Sequence, residues 1–351
     1  MKLPTLPRLA NLGVVVLTFV AYLAPVVSPA AFWPLAFFGL LYPWLLLLHI
    51  GFILFWALRR HWYCFFSIGT ILLGWTHLCS IVGWQSRSAP ANATMAIAVT
   101  SLNAHSMKIY RQAGKVISPE TLTQLIAKNP PNILCLQEFG STQVHRDEQY
   151  ANAIISGNEL PHRYCRKGEE LAIFSSYPIL DAKVKHFNRT NGYLYVDLDV
   201  AARRIRVFNV HLQSNAVSSI AEQVAAEGDL QQKETWLQIR GMLARFKRAV
   251  QKRTLQAEEI ALQIAASPYP VIVCGDLNDI PQSYAYYRLA TGLQDAFKIR
   301  GRGLGFTYNG SIPGLRIDYI FAAPDFQIHQ HVIRRSRFSD HDLVHSVLSL
   351  P

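Results

Sequence analysis

The chain has 351 residues, half of them hydrophobic, with 34 Lys and Arg against 23 Asp and Glu and a formal charge of +11. It is long enough for two domains, and its apolar residues are unevenly spread. Its cysteines, Cys64, Cys79, Cys135, Cys165 and Cys274, have no metal-type spacing and leave an odd number after residue 90, so neither a disulfide framework nor a zinc site is indicated.

From Met1 to Pro119 there is no Asp or Glu. Residues 9–28, 36–58 and 62–84 are apolar stretches with no charged residue inside, each long enough to cross a hydrocarbon core of about 30 Å as a helix. The first follows Lys2 and Arg8 as a secretory signal would, but it exceeds a signal core and two more spans follow directly. Pro25, Pro29 and Pro34 mark one hairpin and Arg59, Arg60 and His61 the next. A water-soluble core would have to hide all three segments. With three spans, Lys2, Arg8, Arg59 and Arg60 share one side, which should be cytoplasmic, while Arg87 lies on the other. The expectation is an integral, multi-pass membrane protein with a transmembrane region at 1–86 and the following domain on the non-cytoplasmic side. A re-entrant middle segment would reverse that orientation.

Residues 87–94, rich in Ser, Ala and Pro, read as a linker to a domain at 95–351. Without the five basic residues through Arg87, 29 Lys and Arg face 23 Asp and Glu, a surplus that suits phosphate-bearing substrates or an anionic membrane surface. Apolar, β-branched runs predict strands at 96–102, 133–136, 171–175, 193–198, 205–210, 271–274, 318–321 and 344–348. Helices are expected at 119–128 and 229–266. The pattern indicates an α/β or α+β layered domain. Asn103, Glu138, His211, Asp276 and Asn278 each stand at or just past the end of an apolar strand, where side chains of one sheet can converge on a rim. Asp318 lies among apolar strand residues and must be paired or bound to something.

Singly, each of these residues has an ordinary reading: a loop Glu, an Asx turn at 276–279, a helix cap at Asp340 and His341. Together the ordered blocks Ser101-Leu-Asn103, Leu136-Gln-Glu138, Asn209-Val-His211, Gly275-Asp276-Leu-Asn278, Arg316-Ile-Asp318 and Ser339-Asp340-His341 resemble the endonuclease/exonuclease/phosphatase superfamily over residues 95–351. The resemblance implies a four-layered sandwich of two packed sheets flanked by helices, here preceded by three transmembrane helices. It also implies a metal-dependent phosphoric ester hydrolase using Mg²⁺ or Mn²⁺. On that resemblance Glu138 is the principal metal ligand, with Asn103 and Asp340 beside it. Asp276 is the base that activates water, Asn278 orients the phosphate, and His341, held by Asp318, bonds a phosphate oxygen. His211 donates a proton or hydrogen bond at the phosphate or leaving group, as in deoxyribonuclease- and sphingomyelinase-like members. Glu169 or Glu170 is a candidate acidic partner for His211, and Arg316 a candidate substrate contact. Asp342-Leu343-Val344 departs from the aromatic or small residue and Pro that follow the last block in the superfamily, which bears on the loop's shape.

Three functions follow. A membrane location favours a lipid phosphodiesterase acting on phospholipid or sphingolipid headgroups; the alternative enzyme is a tethered nuclease, although no aromatic-interleaved basic stripe is evident. The third is a catalytically silent membrane interaction protein, which the intact set of acids, amides and histidines disfavours. Residues 240–253 read either as a basic amphipathic helix on an anionic membrane or as an ordinary helix packed on the sheet. The implied partners are a lipid bilayer and a phosphate ester, lipid headgroup or nucleic acid; no protein partner follows from the residues.

Overall fold

The computed structural model describes residues 5–85, 96–140, 144–166, 168–215, 232–310, 312 and 314–350. The expected linker at 87–94 and the start of the long helix expected at 229 lie outside them.

The N-terminal part consists of α1 (Thr5–Leu23), α2 (Pro29–Phe32), α3 (Pro34–Leu40), α4 (Tyr42–Leu58), α5 (Cys64–Leu73) and α6 (Trp75–Leu78), followed by strand β1 (Val82–Trp84). Proline in the first turn opens α2, α3 and α4, where its missing N–H is harmless and its fixed φ suits the helix. The surface of this unit is more apolar than that of a water-soluble bundle, and its interior holds polar groups beside apolar ones. Asn11, Thr18, His49 and Ser67 are buried between the helices, whereas Leu9, Val16, Phe19, Leu47, Leu54, Phe65 and Leu72 are exposed. Asn11 Nδ2 donates to Ser67 Oγ at 2.8 Å, Trp56 Nε1 donates to Asn11 Oδ1 at 3.1 Å, and Thr18 Oγ1 pairs with His49 Nε2 at 2.9 Å.

The expectation of three spanning helices is not met. Among the described residues one helix, Leu6–Leu23, is long and apolar enough to cross a membrane, and α3 with α4 makes a second only if that pair, bent by 53°, counts as one span. Residues 62–84 form the ten-residue α5, the single turn α6 and β1 instead of one helix. Gly74 ends α5, and the Tyr22 hydroxyl occupies the space where a Cβ would sit. Gly83 lets β1 lie against the backbone of Gly301. Composition alone does not distinguish this folded return from a span.

The second part contains β2 (Ala96–Asn103), α7 (Pro119–Ala127), β3 (Ile133–Gln137), α8 (Val144–Asn158), β4 (His162–Tyr164), β5 (Ala172–Ser175), β6 (Ile179–His186), β7 (Gly192–Val200) and β8 (Arg203–His211). There follow α9 (Lys233–Ala265), β9 (Val271–Asp276), α10 (Tyr284–Ala290), β10 (Gln294–Asp295), α11 (Ala296–Arg300), β11 (Arg302–Leu304), β12 (Asp318–Ala322), β13 (Gln327–Arg334) and β14 (Leu343–Ser349). One six-stranded sheet has the order β13-β14-β2-β3-β5-β4 and the other β10-β12-β9-β8-β7-β6. Ile97, Val99, Ile133 and Ile173 of the first meet Val196, Val207, Phe208 and Val273 of the second in one buried core. On the outer faces, Leu122, Ile126, Tyr150 and Ile154 of α7 and α8 cover the first sheet, and Ala257, Ile260 and Leu289 of α9 and α10 cover the second. The result is the expected four-layered sandwich of two packed mixed sheets flanked by helices.

The eight strands expected from apolar runs are all present. β6 and β13 escaped that reading because they are edge strands; β6, Ile-Leu-Asp-Ala-Lys-Val-Lys-His, has no fully buried residue. β1 pairs antiparallel with β11, Gly83 opposite Gly303, which ties the N-terminal helices to the sandwich.

Gly275 in β9 has φ +143, and a Cβ there would meet the Val210 carbonyl oxygen at 1.9 Å. Gly275→Ala is therefore expected to lose about 1–3 kcal/mol from backbone conformation alone, plus the clash. A melting temperature equal to wild type for the full chain in detergent would contradict this packing.

Candidate active site

Strand direction brings the polar residues to one rim. β2 and β3 are parallel with Asn103 opposite Gln137, so Asn103 and Glu138 emerge together. β8 and β9 are parallel with His211 opposite Asp276, and the antiparallel β12 starts at Asp318, directly across from Asp276. His341 precedes β14 and is bridged to Tyr308. Glu138 and Asn278 have φ of 48° and 50°, so the chain turns sharply where each strand ends. Beneath the rim, Gln137 Nε2 donates to Ser101 Oγ at 3.0 Å and across the sheets to Asn209 Oδ1 at 2.6 Å. Asn209 Nδ2 in turn donates to the Leu136 and Ala172 carbonyls at 2.8 and 3.0 Å. These buried amides join the two sheets directly below the site.

Asn103 Nδ2 donates to Glu138 Oε1 at 3.1 Å and to Asp276 Oδ2 at 3.0 Å. The Asp276 carboxylate also accepts the Asn278 backbone N–H at 2.7 Å and its side-chain Nδ2 at 3.2 Å. His211 Nδ1 faces the Thr190 carbonyl at 3.0 Å; since a carbonyl only accepts, that nitrogen carries a proton. Its Nε2 stands 3.7 Å from both Glu138 Oε1 and Asp276 Oδ2. His341 Nδ1 is 3.0 Å from each Asp318 oxygen, and its Nε2 is 3.7 Å from Asp276 Oδ2.

Burial by itself would lower the pKa of His341, but the Asp318 and Asp276 carboxylates more than reverse it and hold the imidazole well above its ordinary value. His341 is thus a cation near neutral pH. Burial raises Glu138 as well, yet His211, the Asn103 amide and His341 outweigh it and keep that carboxyl below its usual range, ready to act as an anion. Glu170 lies behind, pushed up to about 7 by burial and by Glu138.

Asn103, Glu138, His211, Asp276, Asn278, Asp318, Asp340 and His341 therefore share one neighbourhood, but two sequence expectations need correction. Arg316 does not contact a substrate: it is buried, its Nη1 and Nη2 donate to Asp295 at 3.0 and 2.7 Å, and its guanidinium lies 4.7 and 4.8 Å from the Tyr319 and Phe297 ring centres. The buried Asp295 carboxylate, which caps α11 and also accepts the Tyr286 hydroxyl at 2.7 Å, draws that cation as its charge partner, a requirement invisible in the sequence. His211 is faced by Glu138 and Asp276, not by Glu169, whose carboxylate approaches His186 Nε2 at 3.9 Å, nor by Glu170, which acts on Glu138. Both side-chain N–H groups of Asn278 are engaged, one by the Leu212 carbonyl at 3.0 Å and one by Asp276 at 3.2 Å, so Asn278, which lines the cavity, also positions Asp276.

Residues the sequence reading passed over complete the site. Thr307 Oγ1 accepts the backbone N–H groups of Ile317 and Asp318 at 3.0 and 3.1 Å and sets where β12 begins. Asp342, in the departing last block, accepts the Ser336 N–H at 3.0 Å and Asn309 Nδ2 at 2.6 Å, shaping the loop without proline. His105, in a left-handed turn just beyond Asn103, places Nδ1 3.3 Å from Asp340 Oδ1. Its only sequence signal was its spacing of two from Asn103.

Glu138, Asp276, Asn278, Asp340, His341 and His105 line one cavity of about 550 Å³. Asp340 Oδ1 is buried there, 3.3 Å from His105 Nδ1 but in no hydrogen bond among the described residues. With the Glu138 carboxylate nearby, the donor set is hard oxygen, suited to a divalent cation that keeps open positions, while the Asn103 amide turns its Nδ2 to Glu138 and Asp276 and its Oδ1 accepts the His105 N–H at 3.0 Å. Asp276, Asp318 and His341 also bring ligand atoms within 4.8 Å of one another. Within that trio His341 Nδ1 and the Asp318 carboxylate already form a hydrogen-bonded clamp.

A two-sheet sandwich carrying carboxylates, amides and two histidines on one rim defines a phosphoesterase class. The chain belongs to the Endonuclease/Exonuclease/phosphatase family, whose model matches residues 101–341, and it is a hydrolase of phosphodiesterase or nuclease type with the divalent-metal dependence general to that family. Residues 5–81 match a domain of unknown function, DUF8431. No match to a curated protein was found. Among solved structures it is similar to an endonuclease/exonuclease/phosphatase from Beutenbergia cavernae, at 17% identity over 73% of this chain and 72% of that one with a TM-score of 0.52. It is also similar to a family protein from Bacteroides thetaiotaomicron, at 16%, 73%, 98% and 0.50, and to humanized D. rerio TDP2, at 15%, 72%, 99% and 0.50. At these identities the likeness speaks to the fold.

Arg316→Met is expected to destabilise the protein by about 3–5 kcal/mol, because it leaves Asp295 buried without its partner; a normal denaturation midpoint with only KM altered would put Arg316 at the substrate instead. Asp318→Asn removes a carboxylate that raises His341, so the imidazole must titrate at lower pH than in wild type. NMR of the ring protons reads this directly, and an unmoved titration would refute the clamp.

Proposed function

We propose that this chain is a membrane-anchored, divalent-metal-dependent phosphodiesterase working at the bilayer surface, with residues 1–86 as the membrane region and 95–351 as the catalytic domain. The observation that carries the chemistry is the single cavity faced by Glu138, Asp276, Asp340 and His341. Glu138, with Asn103 and Asp340 beside it, holds the cation. When bound, Mg²⁺ or Mn²⁺ supplies charge neutralisation on the phosphate oxygens and on the departing oxygen. Asp276, fixed by Asn103 and Asn278, takes a proton from the attacking water as its oxygen bonds to phosphorus. His341, kept cationic by Asp318, donates a hydrogen bond to a phosphate oxygen. His211, with its Nδ1 proton tied to the Thr190 carbonyl, presents Nε2 to the leaving side; in its doubly protonated form Nε2 gives its proton to the ester oxygen as the P–O bond breaks, and solvent restores that proton before the next turnover.

The membrane assignment is supported by the apolar surface of the N-terminal helices, since buried Asn11, Thr18 and Ser67 beneath a leucine and phenylalanine surface suit lipid as the surrounding solvent. A cleaved signal would take Asn11 and Thr18 out of bonds to Ser67, Trp56 and His49. The non-cytoplasmic placement expected for the catalytic domain rested on a third span at 62–84 and loses that support.

Purified full-length protein should hydrolyse bis(p-nitrophenyl) phosphate with Mg²⁺ or Mn²⁺ and stop on adding a chelator. Glu138→Ala and His341→Ala should each lower kcat by about 10²–10⁴ while circular dichroism and melting stay native. Normal turnover by either variant would remove these residues from the mechanism.

A further inference from the structure

The N-terminal unit forms part of the cavity wall. Leu40, the last residue of α3, lines the same cavity as Glu138, Asp276 and His341 and stands with Leu315 and Ile317 on its apolar side, while Arg245 of α9 lies at its edge. The placement of Leu40 is fixed from several directions. Phe246 and Val250 of α9 pack against Trp33, Phe37 and Leu40, and Trp44 backs Leu315 and Ile317. Gly39 lies so close to the sandwich that a Cβ would meet the Gln282 carbonyl oxygen at 2.5 Å. Gln282 Nε2 donates to Ser80 Oγ at 2.9 Å and to the His77 carbonyl at 3.3 Å, and β1 with β11 adds a two-stranded join.

The cavity therefore has a phosphate-chemistry end and an aliphatic side, and one aliphatic residue comes from a helix continuous, through a bend of 53°, with the exposed apolar surface of α4. α9, which brings Arg245 to the cavity, also exposes Trp236 and Leu237 together with Arg240, Lys247 and Arg248 along its length, a mixture suited to the interface of an anionic bilayer. On the apolar side Tyr308 packs with Leu315 and Ile317, so one aromatic face stands among aliphatic residues.

We propose that Leu40, Leu315 and Ile317 form a subsite for the glycerol and upper acyl region of a lipid phosphodiester, with Arg245 recognising an anionic headgroup, so that the substrate is an anionic glycerophospholipid delivered from the membrane that holds α1 and α4. This rests on the phosphodiesterase reading above. It makes the N-terminal unit a specificity element as well as an anchor.

The test compares two substrates of the full-length protein in mixed detergent micelles with Mg²⁺: dioleoyl phosphatidylserine, whose serine carboxylate is a headgroup charge beyond the phosphate, and soluble bis(p-nitrophenyl) phosphate. The readout is the ratio of kcat/KM for lipid over kcat/KM for the soluble diester. Leu40→Ala and Arg245→Gln should each reduce that ratio tenfold or more, mainly through the lipid KM, and Leu40→Ile should restore it. Wild-type turnover of the soluble diester without lipid hydrolysis, cleavage of plasmid DNA in preference to lipid, or an unchanged ratio in both variants would overturn the subsite. Absence of any metal-dependent turnover of the soluble diester would instead overturn the phosphodiesterase reading itself.

Discussion

Asp276 stands where β9 ends, opposite His211 on the parallel strand at one side and opposite Asp318 on the antiparallel strand at the other. Side chains alternate along a strand, so a slip of one residue in either pairing would send these groups to the wrong face. Gly275 secures the register, because only a residue without Cβ fits against the Val210 backbone at φ +143. Almost every feature of the site leads back to this point: Asn103 and Asn278 hold the carboxylate, the two histidines approach it from opposite sides, and Asp318 secures the farther of them.

The second sheet reaches that carboxylate because the sandwich is joined by polar groups directly beneath the rim. Gln137 Nε2 donates to Asn209 Oδ1 across the gap between sheets and Asn209 Nδ2 donates to two backbone carbonyls, while Gln137 Oε1 is buried without a partner among the described residues. Buried amides of this kind strongly disfavour any arrangement that leaves them unpaired, so they specify one relative placement of the sheets. Asn103 and Glu138 from one sheet are thereby held within hydrogen-bonding reach of Asp276 from the other, as a reaction shared between them requires.

The N-terminal helices expose an apolar surface and yet join the same structure. Polar residues inside and leucines outside are consistent with a lipid environment, while α3, β1 and the Gln282 contacts bind the unit to the sandwich beside the cavity. α9 serves both parts: Phe246 and Val250 face α3, and Ala257 and Ile260 face the sheet. Both readings of residues 240–253, a basic surface helix and a packed helix, therefore describe different faces and turns of one 33-residue element.

The amino-acid sequence by itself determined the strands whose apolar runs lie in the sandwich core, the family through its six ordered blocks, and the polar residues at strand ends. Those signals are local, because β-branched periodicity and a terminal acid or amide can be read within a few residues. Only the tertiary structure decided which charges face each other. Arg316 looked available until Asp295, distant in sequence, was found to claim it; Asn278 had its donors taken by Leu212 and Asp276; His105 came to Asp340 through a left-handed turn that no propensity marks. The run from residue 62 to 84 has the apolar composition of a span, yet two glycines and a strand partner more than two hundred residues away turned it back onto the sandwich. Hydrophobic patterning reports how much surface must leave water; which partner covers that surface is a long-range property of the folded chain.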